Sequence, residues 1–217
     1  MASYVDHTLL RADATCGEID RLCTEARRHR FAAVCVNGMW VGRCVSRLRG
    51  SEVKIAAVVG FPLGAMPSAA KAFEASRLVE AGADELDMVA SIGAMKDGAW
   101  TYVEDDMTAV VQAASGRPVK VILETAALLP VEIIQGSVVA RESGARFVKT
   151  STGFHSAGGA TVDAVRLMRT VVGDAMGVKA SGGIRDGATA LRMITAGASR
   201  IGTSSGVSIL EGLEGLH

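Results

Sequence analysis

Three times along this chain a segment of helical period ends in a small residue, a glycine and an alanine, and an apolar run of strand type follows at once. The three places are Ala81-Gly82-Ala83, Ser143-Gly144-Ala145 and Ala196-Gly197-Ala198. Glycine stops a helix because it enters left-handed backbone without the penalty of a Cβ. Each triplet therefore reads as a helix end joined to a strand start. A chain that repeats strand, helix and glycine stop folds into right-handed βαβ units around a parallel sheet.

Eight apolar runs fit this scheme: Tyr4-Val5 leading into Asp6-His7-Thr8, Ala32 to Val36, Lys54 to Val59, Glu85 to Val89, Val119 to Leu123, Arg146 to Lys149, Gly177 to Lys179, and Arg200 to Gly202. Helical period fills the gaps. Glu18 to His29 puts Ile19, Leu22, Cys23 and Ala26 on one face, and Ala69 to Ala81 offers Ala72, Phe73, Ser76, Leu78 and Val79. Further helices are expected over Val103 to Ala114, Val131 to Arg141 behind Pro130, Val162 to Val172, and Ala188 to Ala196 with Asp186 as N-cap. Eight units in 217 residues lie near the lower size limit of a closed (β/α)8 TIM barrel. An open doubly wound sheet is the alternative. No shift in composition marks a second domain, so residues 1–217 are read as one catalytic barrel.

The bulk properties narrow the function classes. Apolar residues make up 49% of the chain and the formal charge is zero, with no basic block and no interleaving of aromatic and basic residues, which argues against a nucleic-acid surface. Cys16, Cys23, Cys35 and Cys44 form neither a CxxC pair nor a disulfide framework. No signal-like start and no membrane-length apolar run is present, so a cytoplasmic protein without a membrane partner is expected. A homo-oligomer, with a dimer favoured, is the default for such an enzyme.

In a (β/α)8 barrel chemistry sits where strands end. Lys149 and Lys179 both stand at strand ends, in a chain with only six lysines against seventeen arginines. Arginine cannot lose its proton, whereas a desolvated lysine beside a second ammonium is pushed toward the neutral amine, a nucleophile for carbonyls. A structural ion pair or a phosphate contact is the plainer role for either lysine. Asp87 lies inside the apolar run Leu86-Asp87-Met88-Val89 and needs a cationic or hydrogen-bonding partner there. It is either half of a salt bridge or a proton relay beside an amine. Asp6, with Thr8 beyond it, fits a capping role as well as a direct one. His7, His29, His155 and His217 are scattered, which argues against a metal-assisted aldol reaction; no metal and no cofactor is expected.

Two glycine-rich turns follow the last two strands: Ser181-Gly182-Gly183-Ile184-Arg185 and Gly202-Thr203-Ser204-Ser205-Gly206. Backbone N–H groups of such turns, joined to a helix N-terminus, commonly grip a phosphate. Gly182, Gly183, Ser204 and Ser205 are the expected donors, with Thr150, Gly153 and Arg185 at the edge of the same cup.

With these residues in view the chain resembles the deoxyribose-phosphate aldolases. The motifs run through nearly its whole length: Asp6-His7-Thr8-Leu9-Leu10, Val34-Cys35-Val36-Asn37, Val59 to Gly64, Gly82 to Val89, Lys120 to Thr125, Phe147 to Gly153, Val178 to Arg185, and Ile201 to Gly206. The resemblance implies a metal-independent class I aldolase that interconverts 2-deoxy-D-ribose 5-phosphate with D-glyceraldehyde 3-phosphate and acetaldehyde. It makes Lys149 the Schiff-base lysine, Lys179 the second lysine that depresses its pKa, and Asp87 the proton carrier, with Thr150 and Asp6 in support. Two positions depart from some relatives. Phe154 stands where they carry a lysine, shifting phosphate binding toward backbone donors and Arg185. The chain finishes Leu213-Glu214-Gly215-Leu216-His217, without the terminal tyrosine that reaches the site in some members. The alternatives are an aldolase for another phosphorylated sugar, a barrel isomerase using Asp87 and Lys179 without an imine, and a sugar-phosphate-binding barrel without turnover.

Overall fold

The computed structural model describes residues 1–214, so the chain end discussed above lies outside the described residues from residue 215 on. The glycine triplets do what their composition predicts. Gly82, Gly144 and Gly197 all take positive φ, between 86° and 113°. The alanine after each donates its N–H back to a carbonyl five residues earlier, Ala83 to Leu78, Ala145 to Ala140 and Ala198 to Met193, at 3.0 to 3.1 Å. This closes the last helical turn in a Schellman arrangement. The residue right after that alanine already donates to a strand: Asp84 to Ile55 at 2.8 Å, and Arg146 to Val119 and Ser199 to Val178 at 2.9 Å. Helix stop and strand registration are thus one short local structure.

Eight parallel strands, β1 (Val5–Leu9), β2 (Ala33–Val36), β3 (Lys54–Val59), β4 (Glu85–Val89), β5 (Val119–Ile122), β6 (Phe147–Lys149), β7 (Gly177–Ser181) and β8 (Arg200–Thr203), pair in sequence order, and β8 pairs with β1 to close the barrel. The open sheet considered from sequence is thereby excluded. Around the barrel run α1 (Cys16–His29), α2 (Val41–Leu48), α3 (Ser68–Glu80), α4 (Ile92–Lys96), α5 (Trp100–Ala113), α6 (Pro130–Glu142), α7 (Val162–Val172), α8 (Gly187–Thr195) and α9 (Gly206–Glu214). Helix starts are fixed locally. Thr15 and Glu18 form a reciprocal capping box on α1, Asp186 accepts the Thr189 N–H at 2.8 Å on α8, and Pro130 opens α6. The helices α2, α4 and α9 were not expected.

Side chains alternate along each strand, so the sheet has two interiors. Val34, Val36, Ala57, Leu86, Met88, Val121, Val148, Val178 and Ile201 face outward and form one apolar layer with the helices. The inward positions carry most of the charge. α1 buries Ile19, Leu22, Cys23 and Ala26 as its period predicts. α3 follows the expected stripe only in part: Leu78 is buried and Val79 packs against the core, but Lys71 and Ala75 are buried as well, while Phe73 is 67% exposed. The reason is a buried ion pair. Lys71 Nζ lies 2.6 Å from Asp106 Oδ2 on α5 and donates to the Val89 carbonyl at 3.0 Å, which holds the lysine inside.

Candidate active site

Asp6, Glu85, Asp87, Lys120, Lys149, Lys179 and Arg200 all point into the barrel, where branched aliphatic residues are the usual filling. Register explains their meeting. Asp87 pairs with Lys120 across β4 and β5, Lys149 with Lys179 across β6 and β7, and Lys179 with Arg200 across β7 and β8.

Asp87 is the hub. Its Oδ2 accepts from Lys149 Nζ at 2.8 Å and from Lys179 Nζ at 2.7 Å, and its Oδ1 accepts from Lys120 Nζ at 2.7 Å. Lys179 also reaches Asp6 Oδ2 at 2.5 Å, Lys120 lies 2.6 Å from Glu85, and Arg200 joins Asp6 at 2.6 Å to Glu85 at 3.2 Å. Burial alone would push the Asp87 carboxyl up; the ammonium groups of Lys120, Lys149 and Lys179 overcome it and hold the group well below the usual carboxylate range. Asp6 follows the same pattern, burial being outweighed by Lys179, Lys120 and Arg200.

Lys179 corrects one sequence expectation. Burial would favour its neutral form, as would a neighbouring ammonium, yet Asp6 and Asp87 outweigh burial and push its pKa up. The two lysines do not face each other across empty space; a carboxylate oxygen sits between them. The charged form of Lys179 is therefore the favoured one, which leaves it a positive neighbour to Lys149. The whole set holds four cationic side chains and three carboxylates when fully charged, and only Lys149 among the four opens onto the cavity above.

That cavity has a volume of about 360 Å³. Gly153, Gly182, Gly183, Arg185, Ser204, Thr8 and Lys149 are among the residues that line it. Gly182 takes φ of 90°, and a Cβ on Gly159 would stand 2.3 Å from the Gly182 carbonyl oxygen, so the β6 and β7 loops touch backbone to backbone. Thr203 braces the last turn by donating to the Ile184 carbonyl at 2.7 Å and accepting the Ser205 N–H at 2.9 Å.

Two residues read as substrate contacts sit elsewhere. The Thr150 hydroxyl is committed to the Ser181 backbone, donating to its carbonyl and accepting its N–H, both at 3.0 Å, which ties β6 to β7 beneath the cavity. Ser205 is not among the lining residues, and its N–H is taken by the Thr203 hydroxyl. Asp6 takes no capping role: it is fully buried and bonded to Lys179 and Arg200. Sequence reasoning did not single out Lys120, Glu85, Arg200 or Arg11, the last of which lines the cavity mouth. The spacing of Glu85 and Asp87, two apart on one strand face, was the available signal. Glu124 shapes the β6 loop, accepting the Thr152 hydroxyl at 2.5 Å. Phe154, 53% exposed, meets Phe61 edge to face at 5.2 Å. Among the described residues no three His, Cys, Asp or Glu side chains form a group able to hold a metal, and no helix is long and apolar enough to cross a membrane.

The chain is similar in sequence and fold to known proteins. The chain is 55% identical over 212 residues to the deoxyribose-phosphate aldolase of Brevibacillus brevis, and 53% identical over 212 residues to that of Bdellovibrio bacteriovorus; each alignment covers 98% of this chain and 96% of the relative. The tetrameric deoxyribose phosphate aldolase of Aeropyrum pernix, 35% identical, superposes with a TM-score of 0.92 over 100% of this chain and 92% of its own. The DeoC/LacD family of aldolases matches residues 1–212. A match that begins before β1 and ends within α9 leaves no strand of the barrel outside it, and the chain belongs to the DeoC/LacD family of aldolases.

Proposed function

We propose that the chain is a class I deoxyribose-phosphate aldolase in which Lys149 carries the imine. The observation that supports this most directly is the position of Lys149: its Nζ is bonded to a buried Asp87 on one side and opens on the other onto a cavity rimmed by the glycine turns. In the open-chain sugar, the neutral Lys149 amine attacks C1 and the carbonyl oxygen takes up a proton. The carbinolamine then loses its hydroxyl as water, leaving an iminium. Its positive charge draws the electron pair of the C2–C3 bond as the C3 hydroxyl gives up its proton, so that D-glyceraldehyde 3-phosphate departs and an enamine remains. Protonation at C2 and hydrolysis release acetaldehyde and restore the lysine.

Asp87 and Lys179 are placed to pass the protons of these steps by their geometry: one Asp87 oxygen accepts from Lys149 Nζ at 2.8 Å and from Lys179 Nζ at 2.7 Å, so a proton has a hydrogen-bonded path to and from the imine nitrogen. Asp6 and Lys120 keep both groups in place. The backbone of Gly182 and Gly183, with Ser204 and Arg185, would take the phosphate in the cavity, which points C1 toward Lys149. Thr8, Gly153 and Ser205 would shape that path, and Thr150 would hold the strand end of Lys149 in place. No cofactor takes part in this reading. Self-association belongs to it as well, since the Aeropyrum pernix relative is described as tetrameric.

The test is to incubate the protein with deoxyribose 5-phosphate or acetaldehyde, add sodium borohydride, and map the added mass by peptide mass spectrometry. An adduct on Lys149 is expected. No adduct on the folded protein, or one on Lys179 alone, would overturn the assignment and favour proton transfer without an imine. Comparing deoxyribose 5-phosphate with other sugar phosphates then decides the substrate.

A further inference from the structure

Phe147 lies two residues before Lys149 on β6 and so faces the same interior, one layer nearer the N-terminal ends of the strands. Its strand neighbours in register are Lys120 and Gly177. Gly177 is what makes room for the ring: a Cβ there would stand 2.1 Å from the ring carbons Cδ1 and Cε1. The ring thus lies across β7 in the space that a side chain at 177 would fill. On its upper side it meets the charged network, with Lys120 Nζ 5.9 Å and the Arg200 guanidinium carbon 5.6 Å from the ring centroid. On its lower side lies a second cavity of about 550 Å³, bordered by Tyr4, Arg146, Arg169, Asp174 and Ser199 as well as by Phe147 and Gly177 themselves.

The geometry points to Phe147 as the floor of the catalytic chamber: seated over Gly177, its ring separates the lower cavity from the barrel interior, so that solvent reaching the edge of Arg200 and Glu85 goes no further, to Lys120 and Asp87, which are fully buried. The inference rests on the imine-forming reading above for its consequence in catalysis, but not for the barrier itself. Solvent at the network would screen every ion pair in it and loosen the positions of Asp87 and Lys179. The groups exposed to that change are Lys120 from β5, Lys149 from β6, Lys179 from β7 and Arg200 from β8. Asp6 from β1, Cys35 from β2, and Glu85 and Asp87 from β4 complete the set. The phosphate cup lies at the opposite end of the strands, so substrate binding should be spared. Phe147 is thus a positioning residue.

The experiment compares Phe147→Ala, which opens the floor, with Phe147→Leu, which keeps it apolar and closed without an aromatic face. Phe147→Ala is expected to lower kcat by about tenfold or more while KM for deoxyribose 5-phosphate stays within about twofold, and to move the pH profile of kcat/KM by about half a unit or more. Phe147→Leu should return both to near the parent values. A crystal structure of Phe147→Ala should show ordered water within hydrogen-bonding distance of Lys120 Nζ. Gly177→Ala keeps the ring but displaces it, and should reproduce the defect if Phe147→Ala fails to fold. A folded Phe147→Ala or Gly177→Ala variant with parent kcat and pH profile would overturn the inference, as would a dry interior in the crystal. Phe147→Leu damaged as badly as Phe147→Ala would replace a solvent barrier by a requirement for the aromatic face. If the parent protein formed no imine, the aldolase reading would fail while the crystallographic result still decided the barrier.

Discussion

Asp87 has three cationic partners and no exposure, so its charge cannot be removed locally. Asp87→Asn preserves shape but offers an amide where Lys149 and Lys179 share one oxygen, leaving buried ammonium groups short of a counter-charge. Removing one partner of a buried ion network costs about 3–5 kcal/mol, and loss of a positioned proton carrier costs about 10²–10⁴ in rate. Asp87→Asn should therefore show both a lowered urea midpoint and a kcat reduced by about a thousandfold in an assay of glyceraldehyde 3-phosphate release. Parent-level kcat in that variant would remove Asp87 from the mechanism. This residue was legible in the sequence because a carboxylate in an apolar strand has to be paired, and Lys149 and Lys179 because they close apolar runs. Their company was less so. Lys120 opens its strand among apolar neighbours much as Lys149 closes one, but what makes it part of the site is the register that sets it against Asp87, a relation between strands that spacing along the chain does not reveal.

At the scale of elements, α3 shows where periodicity misleads. Leu78 and Val79 pack against the core as their spacing suggests, but Phe73 does not; the face between them is taken by Lys71, which pairs with Asp106, both fully buried. The pair also holds the end of the Asp87 strand through the Val89 carbonyl, and Glu74 on α3 accepts the Gly60 N–H at 2.8 Å. Lys71→Met alone strands a buried carboxylate and should destabilise the fold by about 3–5 kcal/mol, whereas Lys71→Met with Asp106→Leu should regain most of that loss. Urea unfolding of the parent, both single variants and the double variant measures the coupling directly; a double variant no more stable than the worse single one would mean that the charges themselves are required. The helices missed from sequence lacked start signals. Trp40 offers α2 no side-chain cap, and α9 begins at Gly206, at the end of a turn whose glycines and serines were read as a phosphate loop.

For the whole molecule, the eightfold alternation made the barrel legible, since eight strand-helix units are enough to close a parallel sheet. Its charged interior was not, because inward and outward faces are distinguished only once the sheet is closed. That interior couples folding to pH. Asp6 and Asp87 have folded pKa values below their unfolded value of about 4, so the stability they contribute is present above that pH and is lost as pH falls through the folded values. Lys120 and Lys179 are raised above about 10.4, so their contribution is present below that pH and is lost as pH rises through the folded values. His7 is lowered by burial despite its 2.7 Å bond to Glu25. Its contribution is complete above about pH 6.5 and is lost as pH falls through its folded value. The urea midpoint should accordingly be flat between about pH 6.5 and 10 and decline gently from about 6.5 to 4. Below about pH 4 it should fall steeply, each additional proton taken up on unfolding adding about 1.4 kcal/mol per pH unit to the slope. Replacing His7 by Gln should remove the gentle decline alone, and Asp87→Asn should shallow the steep one. A midpoint unchanged from about pH 8 to 3 would mean that the carboxylates titrate alike in folded and unfolded chains, and that the lysines around Asp87 do not hold its charge.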